Sequence, residues 1–171
     1  MTAFKYCPAC GSQLQTEKLT KFFLCQRCGY TLFMNTAAAT SVIIEYKDKI
    51  LFAVRAKEPS SGKLDLPGGF VDYDETAEQA LERELMEELS ITLPEPGYLC
   101  SFPNVYPYKN VTYRTVDLFY TATLDCEPAL KPADDVSDVK WINKNSIPFE
   151  EIAFSSVRNA LHYYLDSANR E

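Results

Sequence analysis

Apolar and polar positions follow two different rhythms along this chain. Residues 37–46 (AAATSVIIEY) form a nearly continuous, β-branched apolar run, and residues 50–56 (ILFAVRA) form a second one after Lys47-Asp48-Lys49. Two such runs joined by a short polar turn predict a β-hairpin. Residues 58–63 (EPSSGK) read as a loop, and residues 64–71 (LDLPGGFV) as a strand broken at Pro67-Gly68-Gly69. Aromatic-rich runs at 98–105 and 112–124 predict further strands, as does a run at 136–142 that holds Trp141. The rhythm turns helical at 76–89 and again at 155–167, where Val157, Leu161 and Leu165 recur every fourth residue. Thr76, followed three residues later by Gln79, predicts a capping box. Strands outnumber helices, which predicts an α+β fold, an α/β/α sandwich with mixed strand pairing.

Composition narrows the class. A chain of 171 residues has room for one good core and a small satellite. Its 46% apolar and 24% charged content excludes disorder as an overall description. The net charge of −7 disfavours nucleic acid and anionic membrane as general partners. No apolar run approaches the roughly 18 residues of a membrane span. Residues 1–6 show no signal-peptide core, so the cytoplasm is the expected compartment.

The charge is unevenly spread. Residues 1–30 hold Lys5, Lys18, Lys21 and Arg27 against Glu17 alone, a net of +3, whereas the remainder nets −10. Four of the six cysteines lie in this basic segment, as Cys7-x2-Cys10 and Cys25-x2-Cys28, with Gly11 and Gly29 directly after each pair. Two such knuckles supply four thiolates for a closed tetrahedral zinc site, the zinc-ribbon arrangement. Two disulfides or a rubredoxin-like iron site are the rival readings, and reduced cytosolic thiols argue against the first. The zinc is expected to be structural, because so short a module buries too little apolar surface to fold alone. Four thiolates on one zinc carry about −2, which offsets much of the local +3. A module boundary is therefore expected at residues 34/35, with a ribbon at 1–34 and a second domain at 35–171. Cys100 and Cys126 stand apart and are expected to be buried.

The second domain carries a carboxylate face. At about 100° per helical residue, Glu84, Glu87 and Glu88 fall within about 100° of one another. The small Ala77 and Ala80 share that face, and Leu81, Leu85 and Leu89 form an apolar stripe beside it. Carboxylates at i, i+3 and i+4 repel, and Arg83 is the helix's single cation. A hard divalent cation with oxygen ligands, Mg²⁺ or Mn²⁺, accounts for the pattern better than a solvated acidic surface.

From Gly69 the order of residues is G, five residues, E, seven residues, R-E-L-x-E-E-x-x-I. This resembles the Nudix box, the signature of the Nudix hydrolases, at Gly69, Glu75, Arg83, Glu84, Leu85, Glu87, Glu88 and Ile91. Ser90 stands where the family usually has glycine. The resemblance implies hydrolysis of a diphosphate linkage in a nucleoside diphosphate joined to another group. It implies metal binding by Glu87, Glu88 and Glu84, with Glu84 also a candidate base. It further implies that Arg83 orients a glutamate, that Glu75 is a structural partner, and that the Gly68 carbonyl reaches a metal. Asp135, in the acidic lead-in to the last strand, is the expected additional ligand from outside the box.

A four-cysteine ribbon ahead of a Nudix domain resembles the NADH pyrophosphatase branch, whose signature has the form S-Q-P-W-P-F-P-x-S. Ser101, Pro103, Tyr106 and Pro107 agree, whereas Asn104, Val105 and Lys109 depart from it. Tyr106, Tyr108 and Tyr113 are candidates to stack on a base, and Lys109 and Arg114 to meet phosphate. The expected reaction is cleavage of NADH, NAD or an ADP-ribose-like compound with release of AMP. The alternatives are a catalytically silent ligand sensor whose ribbon contacts nucleic acid, and an enzyme acting on nucleotide-capped RNA. The branch also implies a homodimer.

Overall fold

The computed structural model describes residues 5–13 and 21–168. Strands β1 (Phe22–Leu24) and β2 (Thr31–Phe33) pair antiparallel and hold the second cysteine pair between them. The core beside them is small: Cys7, Phe23 and Cys25 are buried, with Cys10 and Leu32 packed against them.

The predicted hairpin forms from β3 (Ala37–Tyr46) and β4 (Lys49–Arg55), with Lys47 at φ +55 in the turn. The two strands pair only at the closed end, Glu45 opposite Ile50 and Tyr46 opposite Lys49. The segment predicted as a broken strand pairs with both of them: β5 (Leu64–Asp65) with β4, and β6 (Gly68–Phe70) with β3. Pro67 marks the crossover, and its carbonyl accepts the Val42 N–H at 3.0 Å. Gly68 has φ +136, and a Cβ there would lie 2.2 Å from the Thr40 carbonyl oxygen. Only glycine permits that backbone approach.

Three strands complete the seven-stranded sheet. β7 (Gly97–Tyr108) and β8 (Val111–Thr123) form an antiparallel hairpin, β8 runs parallel to β3, and β9 (Val136–Asn143) pairs antiparallel with β4. The hairpin extends further than the apolar pattern predicts. Its outer residues are largely exposed on both strands, so no inside–outside alternation marks them.

Each face of the sheet carries a helix. α1 (Ala77–Leu89) sets Leu81, Leu85 and Leu89 against Val42, Ile44, Leu51 and Tyr120. On the other face, α2 (Ser155–Ala168) sets Val157, Ala160 and Leu161 against Ile43, Phe52 and Phe119. Burial on both faces explains why β3 reads as a continuous apolar run rather than an alternating one. This is the predicted α/β/α sandwich with a mixed sheet.

The ends of α1 position the chemistry. Thr76 accepts from the Gln79 N–H at 3.2 Å, and the Gln79 side chain accepts from the Thr76 N–H at 2.9 Å, completing the capping box. Ser90 takes the left-handed cap conformation at φ +57 and bonds back to the last turn. The N–H groups of Lys131 and Ala133 then cap the carbonyls of Leu89 and Glu88, which brings the 131–135 loop to the carboxylate end of the helix. Cys126 is exposed in the loop after β8 and Cys100 half-buried on the outer strand β7, correcting the expectation that both are buried. No helix among the described residues is long and apolar enough to cross a membrane.

Candidate active site and thiolate centre

A cavity of about 260 Å³ opens between α1, the wedge at 64–70 and strands β7 and β8. Glu84, Glu87 and Glu88 line one wall, as the helical spacing predicts. Glu88 is only 6% exposed, and its Oε2 accepts the Gly68 N–H at 3.0 Å. Burial pushes the Glu88 carboxyl up to about 8, against the pull of that N–H. Burial also raises Glu84, with the Arg83 guanidinium opposing. The Glu84 carboxylate lies directly against Gly69, where a Cβ would come within 2.3 Å of Oε1.

Arg83 organises this wall through five hydrogen bonds. Its Nε and Nη2 reach the two Glu75 oxygens at 2.7 and 3.0 Å, a bidentate pair. Nη2 also donates to the Phe70 carbonyl at 3.0 Å, and Nη1 to Glu84 at 2.9 Å and Glu87 at 3.3 Å. Two carboxylates that crowd the face are thus held by one planar cation. The donor set is oxygen-only, and burial raises two of its three carboxyls, Glu84 in spite of the Arg83 guanidinium beside it. That combination fits a hard divalent cation.

The remaining predicted residues divide. Asp135 lines the cavity beside Asp134, and both pair with Lys57. Tyr106 lines the cavity and packs edge-on to Phe70 at 5.4 Å between centroids. Tyr108 and Tyr113 line an adjoining apolar hollow that shares Phe70 and Tyr106. Lys109 and Arg114 are not among the residues that line the cavity. Lys109 sits at the hairpin tip over the Tyr108 ring, and Arg114 is exposed on the strand face opposite Thr115.

Sequence reasoning missed the far wall. Arg55 pairs with Asp65 at 2.8 Å, donates to the Pro59 carbonyl at 2.8 Å and lies over the Phe154 ring. Burial pushes the Asp65 carboxyl up to about 6, against the pull of Arg55. Asp117 accepts from Thr115 and Ser156, each at 2.6 Å. These residues are distant in sequence and no local motif joins them. The one available signal was a carboxylate, Asp117, set between Val116 and Leu118-Phe119-Tyr120 in a strand.

The four predicted cysteine sulfurs converge, all lying within 4.8 Å of one another. Cys7 and Cys28 are 3.8 Å apart, and Cys10 and Cys25 are 3.7 Å apart. A tetrahedron with metal–sulfur arms of about 2.3 Å has edges of about 3.8 Å. A disulfide would need sulfurs about 2.05 Å apart. Gly11 and Gly29, at φ +67 and +75, each close a knuckle by an N–H to the carbonyl of the first cysteine, 2.9 Å in both. The zinc-ribbon arrangement is therefore formed.

Comparison with known proteins agrees with this geometry. The NUDIX domain family profile matches residues 34–161. The NAD-capped RNA hydrolase NudC of Shigella dysenteriae is 28% identical over 144 residues, which are 84% of this chain and 53% of that protein. The chain thus spans about half the length of the curated relatives it matches. A crystal structure of a NUDIX hydrolase from Nitrosomonas europaea shares the fold, with a TM-score of 0.69 at 24% identity over 98% of this chain and 93% of that one. The NUDIX domain of Shewanella oneidensis NrtR, complexed with ADP ribose, superposes with a TM-score of 0.67 at 26% identity, covering 80% of this chain and 90% of that chain. A bifunctional NMN adenylyltransferase/ADP ribose pyrophosphatase from Francisella tularensis, complexed with AMP and a Mn ion, gives 0.59 at 27% identity, covering 81% and 42%. Profile, box geometry and fold together establish that this chain belongs to the Nudix hydrolase family.

Proposed function

We propose that this chain is a divalent-metal-dependent pyrophosphohydrolase that cleaves ADP-linked small molecules of the NADH, NAD or ADP-ribose type and releases AMP. The observation that carries this reading is the pair of carboxylates, half-buried Glu84 and buried Glu88, held at the cavity wall by Arg83 and the Gly68 N–H. The names of the relatives, two of which concern ADP ribose, support the choice of substrate class.

Glu87, Glu88 and Glu84 would hold Mg²⁺ or Mn²⁺, with the Gly68 carbonyl and Asp135 as further ligands. Such a cation would supply charge neutralisation at the diphosphate and a lowered pKa for water. Glu84, raised by burial and pressed against Gly69, accepts the proton of that water. Water adds to one phosphorus, the bridging P–O bond breaks, and AMP leaves with the second phosphate-bearing product. Arg83 keeps Glu84 and Glu87 aimed at the cavity and does not itself meet the substrate. Tyr106 and the hollow beside it receive an aromatic ring.

The ribbon, taken as residues 1–34, carries structural zinc, and residues 35–171 carry the chemistry. A homodimer follows from the ribbon-bearing branch. Nucleic acid is not a general partner of so acidic a chain.

The test is a Mg²⁺-supported hydrolysis panel of NADH, NAD, ADP-ribose, ADP-sugars, dinucleoside polyphosphates and NAD-capped RNA, with product identification. AMP as the common product supports the reading, and Glu87→Gln is expected to abolish it. Binding of ADP-ribose without any hydrolysis would favour a ligand sensor instead.

A further inference from the structure

Two buried polar side chains on the far wall have capacity that the fold leaves unused. Asp117, 7% exposed, and Asn104, 8% exposed, both line the cavity. Asn104 stands opposite Thr115 in the β7–β8 register, and the Thr115 hydroxyl donates to Asp117 at 2.6 Å. The three side chains therefore sit side by side on one face of the hairpin.

Their hydrogen-bonding character is fixed by their partners. The Asn104 Oδ1 accepts the Val105 N–H at 2.8 Å. A backbone N–H can only donate, so the amide cannot be flipped, and Nδ2 with its two N–H donors is the free end. Among the described residues Nδ2 has no hydrogen-bond partner. The Asp117 carboxylate accepts one hydroxyl on each oxygen, from Thr115 and Ser156. A carboxylate has about four lone-pair sites, so each oxygen retains capacity for a further donor. Phe154, Val157 and Ala39 line the same cavity and add apolar surface.

We infer that Asn104 and Asp117 form a donor–acceptor pair that reads the edge of a substrate ring bearing an amino group beside an acceptor atom. Asp117 accepts from the amino group, and the Asn104 Nδ2 donates to the neighbouring nitrogen or oxygen. The amino-and-ring-nitrogen edge of adenine and the carboxamide of nicotinamide both present this pattern. Both are residues that set specificity rather than perform the reaction, and the inference rests on the reading of this cavity as a nucleotide site.

Calorimetric binding of AMP and IMP separates this inference from the proposed reaction, since it needs no turnover. IMP presents the reverse order, an oxygen acceptor beside an N–H donor. Wild type is expected to bind AMP tighter by about tenfold to a hundredfold, the range for one well-placed polar edge. The exchanged double variant Asn104→Asp/Asp117→Asn reverses the wall and is expected to invert the preference. Where the nicotinamide is the ring that is read, wild type binds NAD tighter than its nicotinic acid analogue, whose carboxylate has no donor for Asp117, Asp117→Asn narrows or reverses that preference, and AMP and IMP bind alike. Thermal melting confirms folding, and Asn104→Ser, which removes the amide with little bulk change, serves where the double variant is unstable. An unchanged ratio in both ligand pairs, with folded variants, overturns the inference. A wild type that discriminates the bases but hydrolyses nothing leaves the inference standing and overturns the proposed reaction.

Discussion

Gly69 packs so closely on Glu84 that a Cβ at position 69 would lie 2.3 Å from the Glu84 Oε1 and 2.4 Å from its carboxyl carbon. The glycine is thus a space reserved for a carboxylate. In Gly69→Ala the flexible glutamate must move while the sheet stays in place. Turnover is expected to fall by roughly a hundredfold, the usual effect of about 1 Å of misplacement. Melting temperature should change little. Wild-type turnover in a folded Gly69→Ala protein would show that Glu84 is not where the chemistry happens.

Arg83 joins Glu75, Glu84, Glu87 and the Phe70 carbonyl, and a lysine cannot reproduce that planar fork. Arg83→Lys keeps the charge and loses the geometry. Urea denaturation should show a loss of about 1–3 kcal/mol, the scale for charge-assisted hydrogen bonds left unmade. Steady-state kinetics should show at least about a tenfold fall in turnover. Equal stability in the two proteins would mean that the bidentate contact is not maintained in solution.

Glu88 gives the metal-free protein a distinctive pH response. Its carboxyl is raised from an ordinary 4.5 to about 8, chiefly by burial. A raised folded-state value favours the protonated native state, so that contribution is fully present below about 4.5 and is lost as pH rises through about 8. Metal-free wild type should therefore lose melting temperature relative to Glu88→Gln across this window. Mg²⁺ should restore it, and binding below pH 8 should release a proton, seen as a calorimetric enthalpy that depends on the buffer. Parallel pH profiles for the two proteins would contradict the assignment.

Thiol chemistry reports on the ribbon. Cys126 is exposed and should react with a thiol reagent at once, whereas Cys7, Cys10, Cys25 and Cys28 should react only after a chelator removes zinc. Metal analysis should find one zinc per chain before chelation. NMR amide signals from Phe22–Leu24 and Thr31–Phe33 should collapse on chelation, and those of Val42 to Ile44, in the other core, should persist. Reaction of all six thiols without a chelator would rule out a closed metal site.

Ser90 holds a conformation at φ +57 that strains any residue with a Cβ. Ser90→Gly should raise stability by about 0.5–1 kcal/mol in urea titrations, because the helix end already has the glycine geometry. A destabilised Ser90→Gly would mean that the serine side chain compensates for its own strain.

Helix α1 was legible because its information is local. Cap, box spacing and carboxylate face all lie within residues 69–91, and each appears as the pattern predicts. The cysteine cluster was legible for the same reason, since two short spacings specify four ligands. The far wall was not, because Arg55, Asn104, Asp117 and Ser156 meet only through sheet register and the docking of α2. Lys109 and Arg114 show the reverse situation. Their charge suggested phosphate, but alternation along the hairpin and its length carry both away from the cavity.

Strand β3 sends Val42 and Ile44 into one core and Ile43 into the other, with the β6 wedge along its edge. It therefore acts as a single phase marker for the whole hydrolase. Inserting one residue after Thr40 would exchange the two cores' side chains and move Gly68 and Gly69 off their partners at once, so one insertion would erase packing and catalysis together. An insertion in a loop or at the exposed hairpin tip disturbs no such phase, because no core side chain there alternates between the two faces.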